Sequence, residues 1–174
     1  MNEKFQQILQ KYERTFKECS ADTSNNVYMS DSLTKASDFD GIKDAYVEGM
    51  SVCEKPASCD AVWLNSNETY LVEFKSGKVE KYLIGRKVYD SLLMLLDLTG
   101  QTIGFSRRYW VFVLVYNKEK EWSSLKKIQN RTAQNAGDHF VGFGLERFEK
   151  IYFKEVKTMS KDEFDSFVSK AAIA

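Results

Sequence analysis

Apolar residues at Phe5, Ile8, Leu9, Tyr12 and Phe16 recur at helical spacing, which predicts an amphipathic helix over roughly the first twenty residues, with Glu13 at the border of its apolar stripe. From Ser20 to Gly41 the chain turns polar and rich in Ser, Asp, Thr and Asn, and reads as loop with at most one short helical turn. Asp44 to Val52 has strand character, and Pro56 then marks a connection. Two clearer strands follow, Cys59 to Leu64 and Thr69 to Lys75, separated by the polar turn Asn65-Ser66-Asn67-Glu68.

Ser76-Gly77 breaks the second strand, and Val79 to Leu98 reads as a helix so apolar in its second half that it must be buried. Thr99-Gly100 ends it. The run from Tyr109 to Tyr116 is continuously apolar, as in a central strand covered on both faces. Strand, crossover helix and buried strand imply a parallel pair inside a mixed sheet. Glu119 to about Asn135 reads as helix, Ile151 to Val156 as strand and Ser160 to Ala172 as a closing helix, opened by the capping-box pair Ser160 and Glu163. The expectation is one α/β (α+β) domain over residues 1–174, with a mixed central sheet flanked by helices and no internal repeat.

Composition narrows the chemistry. In 174 residues, 25 basic and 25 acidic side chains cancel, so no molecule-wide field draws nucleic acid or an acidic membrane, and any polyanion site must be a local patch. The first residues alternate charge with apolar side chains too often for a signal-peptide core, and no apolar run reaches the ~20 residues of a membrane span, so a cytoplasmic protein without membrane contact is expected. Cys19, Cys53 and Cys59 form no C-x-x-C pair and read as reduced structural thiols. His139 is the only histidine, a loop residue near Gly137 and Gly142, which leaves carboxylates and lysines as the groups able to do chemistry.

The pattern acidic-x-Lys occurs twice, at Glu73-Phe74-Lys75 and at Glu155-Val156-Lys157. Only the first has a carboxylate on a preceding paired strand; Glu155 and Lys157 read as surface charges on an outer strand. A hairpin turning through Ser66-Asn67, or through the four residues Asn65 to Glu68, sets residue 60 directly opposite residue 73 in either case. Facing carboxylates ~5 Å apart repel unless something neutralises them. The strand period of two puts Lys75 on the face of Glu73, with Tyr70, Val72 and Phe74 on the other. One lysine relieves part of the repulsion; magnesium or manganese, which prefer hard oxygen ligands, would relieve more. The alternative is a solvated hairpin face carrying an ordinary salt bridge.

These residues resemble a known family. Cys59-Asp60, then Glu73-Phe74-Lys75-Ser76-Gly77, on a strand pair followed by a helix and a buried strand, look like the core of the PD-(D/E)XK nuclease superfamily, over about Asp44 to Tyr116. The resemblance implies a restriction-endonuclease-like core in the order helix, three strands, helix, strand, here extended by a C-terminal helix, strand and helix. It also implies cleavage of DNA or RNA dependent on Mg2+ or Mn2+, with Asp60 and Glu73 as metal ligands and Lys75 as the motif lysine. Cys59 stands where the motif has proline, a position that supplies no ligand. Many members add a glutamate from the first helix, for which Glu13 and Glu48 are the candidates here.

Lys78, Lys81, Arg86 and Lys87 lie at or near the start of the buried helix, where they would flank a bound phosphate or simply be solvated. Arg86 and Asp90, four apart, have the spacing of a helical ion pair. Arg107-Arg108 extends the patch or ends a loop. The strand aromatics, Trp63 and Trp110 among them, read as core, and Gly142-Phe143-Gly144 lacks the residues of a phosphate loop. A non-cutting fold of the same kind that binds nucleic acid or a partner protein is the alternative function, and homodimer formation stays open.

Overall fold

A computed structural model describes residues 3–66, 68–120 and 142–172. In chain order its elements are α1 (Glu3–Lys11), β1 (Glu13–Thr15), α2 (Phe16–Cys19), β2 (Ala21–Asp22), β3 (Val27–Tyr28), β4 (Lys35–Asp38), α3 (Phe39–Tyr46), β5 (Ala61–Asn65), β6 (Glu68–Lys75), α4 (Lys81–Thr99), α5 (Ile103–Tyr109), β7 (Trp110–Tyr116), β8 (Glu155–Ser160) and α6 (Lys161–Ala171). Six strands form one sheet in the order β1-β4-β5-β6-β7-β8, while β2 and β3 pair apart as a short ribbon. Pairing is antiparallel from β1 to β6 and parallel from β6 through β7 to β8. The expected mixed sheet with helices on its faces is present, its larger part antiparallel.

Each strand sends alternate side chains to opposite faces, so the sheet separates two cores. Val62, Leu71, Phe112, Leu114 and Val156 face α1, α3 and α4, burying Phe5, Leu9, Phe39, Ile42, Ile84, Val88, Leu92 and Leu95. Ala61, Trp63, Tyr70, Val72, Phe74, Val111, Val113 and Val115 face the other way, against Phe16 of α2 and Phe164 and Val168 of α6. Every residue of β7 is buried. Helix α4, the crossover from β6 towards β7, ends where Gly100 takes the left-handed conformation (φ 65) that costs a glycine little. Ser160 and Glu163 form the capping box of α6. No described helix is long and apolar enough to cross a membrane.

Several expectations are corrected. The first helix stops at Lys11, because Glu13–Thr15 pairs with β4 and a capping box between Thr15 and Glu18 starts a separate turn, α2. The polar stretch from Ser20 to Gly41 is not mostly loop: it carries β2, β3, β4 and the start of α3. Asp44 to Val52 is not a strand. Its first residues close α3, which Asp38 caps and which Phe39 and Ile42 anchor in the core. The strand next to β5 is instead β4, whose Ser37 pairs with Glu13 on one side and Val62 on the other. The late strand begins at Glu155, since Lys150 turns with φ 61 and its N–H bonds the Phe153 carbonyl at 2.8 Å. The α5 turn, with Arg107 and Arg108, was not anticipated. Most of the helix expected over Glu119 to Asn135, and His139, lie outside the described residues.

Helix α4 is tied to the start of β5 by polar bonds. Ser91 Oγ accepts the buried Cys59 N–H at 2.7 Å, and Asp90 Oδ2 accepts the Ala57 N–H at 2.8 Å. Ser91→Ala would strand a buried donor, so it should lower stability by about 1–3 kcal/mol, measured by urea unfolding, whereas a loss under ~0.3 kcal/mol would show that the bond does not hold the two elements together.

Candidate functional site

The hairpin pairs Ala61 with Val72, Val62 with Leu71, and so on to Asn65 with Glu68, the register read from the turn. Beyond Ala61 the chain leaves this ladder. The Asp60 N–H donates to the Val72 carbonyl at 3.0 Å, and the Phe74 N–H is accepted by the Asp60 side chain, Oδ2, at 2.6 Å. The Asp60 carbonyl accepts from Phe39 N–H at 3.0 Å, which fixes the residue from the α3 side as well. The aspartate is thus held by backbone on both flanks, and its other oxygen points towards Glu73's neighbour, Lys87.

Glu73 shares its sheet face with Leu71 and is 1% exposed, set in the apolar layer beneath α4. Both of its carboxylate oxygens accept from Lys87 Nζ, at 2.7 and 2.9 Å, and the same ammonium lies 3.3 Å from Asp60 Oδ1. The Asp60 and Lys87 side chains are 21% and 32% exposed. Asp60, Glu73, Lys75 and Lys87 line one cavity of about 260 Å3, which Cys19 to Thr23 and Met29 also line. A hydrogen bond from Ser76 to Asp22 joins two of the lining residues.

Electrostatics follow from this burial. Desolvation, reinforced by the Asp60 charge, pushes the Glu73 carboxyl well above the usual carboxylate range against the pull of Lys87. Burial also raises Asp60, with Lys87 and the Phe74 N–H opposing. For Lys87 burial works against the charge, yet attraction to Asp60 and Glu73 outweighs it and raises the ammonium above its ordinary value. Burial pushes the Cys19 thiol up to about 12 and Cys59 higher still, so neither is a poised nucleophile.

The structure brings together Asp60, Glu73 and Lys75, and adds Lys87 as the bridging cation in place of a flanking one. Among the described residues the Lys75 side chain has no hydrogen bond or ion pair, although its charge acts on Glu73, and its carbonyl accepts the Asn117 N–H at 3.0 Å. Glu13 is not brought in: it sits on edge strand β1, 3.6 Å from Lys35, beside a different cavity. Nor is Glu48, exposed beyond α3 and off the cavity wall. Lys78 and Lys81 are exposed before and at the first turn of α4. Arg86 is taken up by Glu54 at 2.6 Å and Asp90 at 3.8 Å. Glu155 and Lys157 pair with each other on the outer strand β8.

One signal for Lys87 was present in the sequence. It interrupts the inward stripe Ile84, Val88, Ser91, Leu92 and Leu95 of α4, where a cation needs a buried anion to face. Among the described residues no three His, Cys, Asp or Glu side chains form a group able to hold a metal. The donor set is nonetheless of the kind that magnesium takes, one or two carboxylates completed by water and phosphate oxygens. No protein-family model, no curated protein and no solved structure matches the chain.

Removing Lys87 leaves the buried Glu73 and the half-buried Asp60 without their bonded cation, so Lys87→Met should lose about 3 kcal/mol at pH 8. The raised Glu73 sets the sign of the pH dependence. Between the ordinary carboxylate pKa of about 4.3 and its own higher value, the folded state binds more protons than the unfolded chain, and stability falls as pH rises. The deficit of Lys87→Met relative to wild type should therefore shrink on going from pH 8 to pH 5.5 in urea unfolding; a deficit independent of pH would contradict the charge argument.

Proposed function

We propose that this chain is a metal-dependent nuclease hydrolysing phosphodiester bonds in DNA or RNA, with a site of the PD-(D/E)XK kind. The observation that carries the reading is the aim of the Asp60 and Glu73 carboxylates at one cation position, in a cavity that Lys75 also lines. The order β4, β5 and β6 antiparallel, then α4, then β7 parallel to β6, supports it. Asp60 and Glu73 are the residues that would hold Mg2+ or Mn2+. Such an ion supplies, when bound, a more acidic water and a counter-charge for phosphoryl oxygens.

The side chains have separable tasks. Asp60, pinned by Phe74 N–H, and Glu73, fixed in the apolar layer, form a rigid anionic pair that needs little reorganisation. Lys75, whose side chain lines the cavity with no ion pair among the described residues, would donate to a phosphate oxygen or orient the attacking water. Lys78 and Lys81, exposed before and at the first turn of α4, would add positive charge for the flanking backbone. The other basic residue expected there, Arg86, is already neutralised.

One observation favours a second reading: Lys87 already satisfies the acidic pair, as it would in a nuclease-like fold that binds nucleic acid or a partner protein without cutting. Incubation of labelled DNA and RNA oligonucleotides with Mg2+ or Mn2+ separates the two. The nuclease reading predicts cleavage, reduced about 100-fold or more by Glu73→Ala and by Lys75→Ala in folded protein. Cleavage that survives both substitutions, or binding in chelator with no cleavage under either metal, contradicts it.

A further inference from the structure

Glu73 cannot leave its place. It is 1% exposed in the apolar layer between β6 and α4, so it keeps a positive partner or a proton in every folded state. The partner in the structure is a monovalent ammonium on a flexible four-carbon stem, in contact with both Glu73 oxygens and one Asp60 oxygen. Both residues line the cavity, and a second cation cannot share these oxygens at the same distances without strong repulsion. Lys87 has a way out, since its side chain is 32% exposed and the same cavity opens beside it. Against two carboxylates it leaves one negative charge uncompensated, where a divalent ion would leave none.

We propose that Lys87 is a displaceable resident cation that competes with the divalent ion for the Asp60–Glu73 pair, so that metal enters only as the ammonium withdraws. The proposal rests on the nuclease reading of the site. It assigns the two lysines different roles: Lys75 serves the substrate, and Lys87 compensates one of the two negative charges of the acidic pair until metal arrives. Lys87 is accordingly a positioning residue that sets the threshold for metal. A phosphodiester in the cavity offers the withdrawn ammonium a new anion, so metal and substrate support each other's binding.

The test is calorimetric titration of Mn2+ into the full-length wild type, Lys87→Met and Lys87→Arg, with cleavage of an oligonucleotide assayed on the same samples. Lys87→Met should bind Mn2+ about tenfold or more tightly than wild type, because the competing charge is gone. Lys87→Arg should bind it several-fold more weakly, because a guanidinium fork grips carboxylates more firmly. If Lys87→Met does not fold, the comparison of Lys87→Arg with wild type decides. Equal affinities in a wild type that cleaves would overturn the competition and leave the nuclease reading standing. Absence of both Mn2+ binding and cleavage in all proteins would overturn the two together.

Discussion

Two carboxylates placed side by side under an apolar helix are the constraint on which the rest of this structure turns. Neither Asp60 nor Glu73 can be solvated as it would be in water, and their mutual repulsion adds to that cost. The fold answers with Lys87, whose ammonium touches both. It also answers with a backbone N–H, from Phe74, that takes the second oxygen of Asp60. A buried acidic pair of this kind is poor design for stability alone, since well-packed apolar residues of the same volume would do at least as well. Its presence points to a demand for negative charge at that spot.

The surrounding elements convert that demand into geometry. Glu73 pairs with Leu114 of β7, and on its other side the next residue's N–H is taken by the Asp60 carboxylate. Asp60 sits where β5 begins, held by Phe39, Val72 and Phe74. Lys87 comes from α4, which Ser91 and Asp90 clamp to the chain just before β5. Three elements thus deliver three charged groups to one point, and each is anchored by a bond independent of those charges. The end of α2 and strand β2, from Cys19 to Thr23, line the same cavity, and Asp22 there accepts a hydrogen bond from Ser76 just after β6.

What the sequence revealed was set by how local the determining physics is. The hairpin register and the convergence of residues 60, 73 and 75 were readable because a four-residue turn and a period of two fix them. The greasy helix, the strand after it and the Ser160–Glu163 cap were readable for the same reason. Strand β4 was not, because Lys35-Ala36-Ser37-Asp38 has no strand propensity and exists only through its neighbours on both sides. Nor was the partner of the acidic pair. Lys87 is fourteen residues beyond Glu73 on a different element, and only the packing of α4 on the sheet brings it there.

The central claim is that Lys87 and Glu73 interact across the α4–sheet interface strongly enough to hold the site together. A double-mutant cycle with Lys87→Met and Glu73→Gln, read by urea unfolding at neutral pH, measures that interaction directly. A coupling of about 2 kcal/mol or more, with the double variant more stable than Lys87→Met alone, is the expected result. A coupling below about 0.5 kcal/mol would contradict the account.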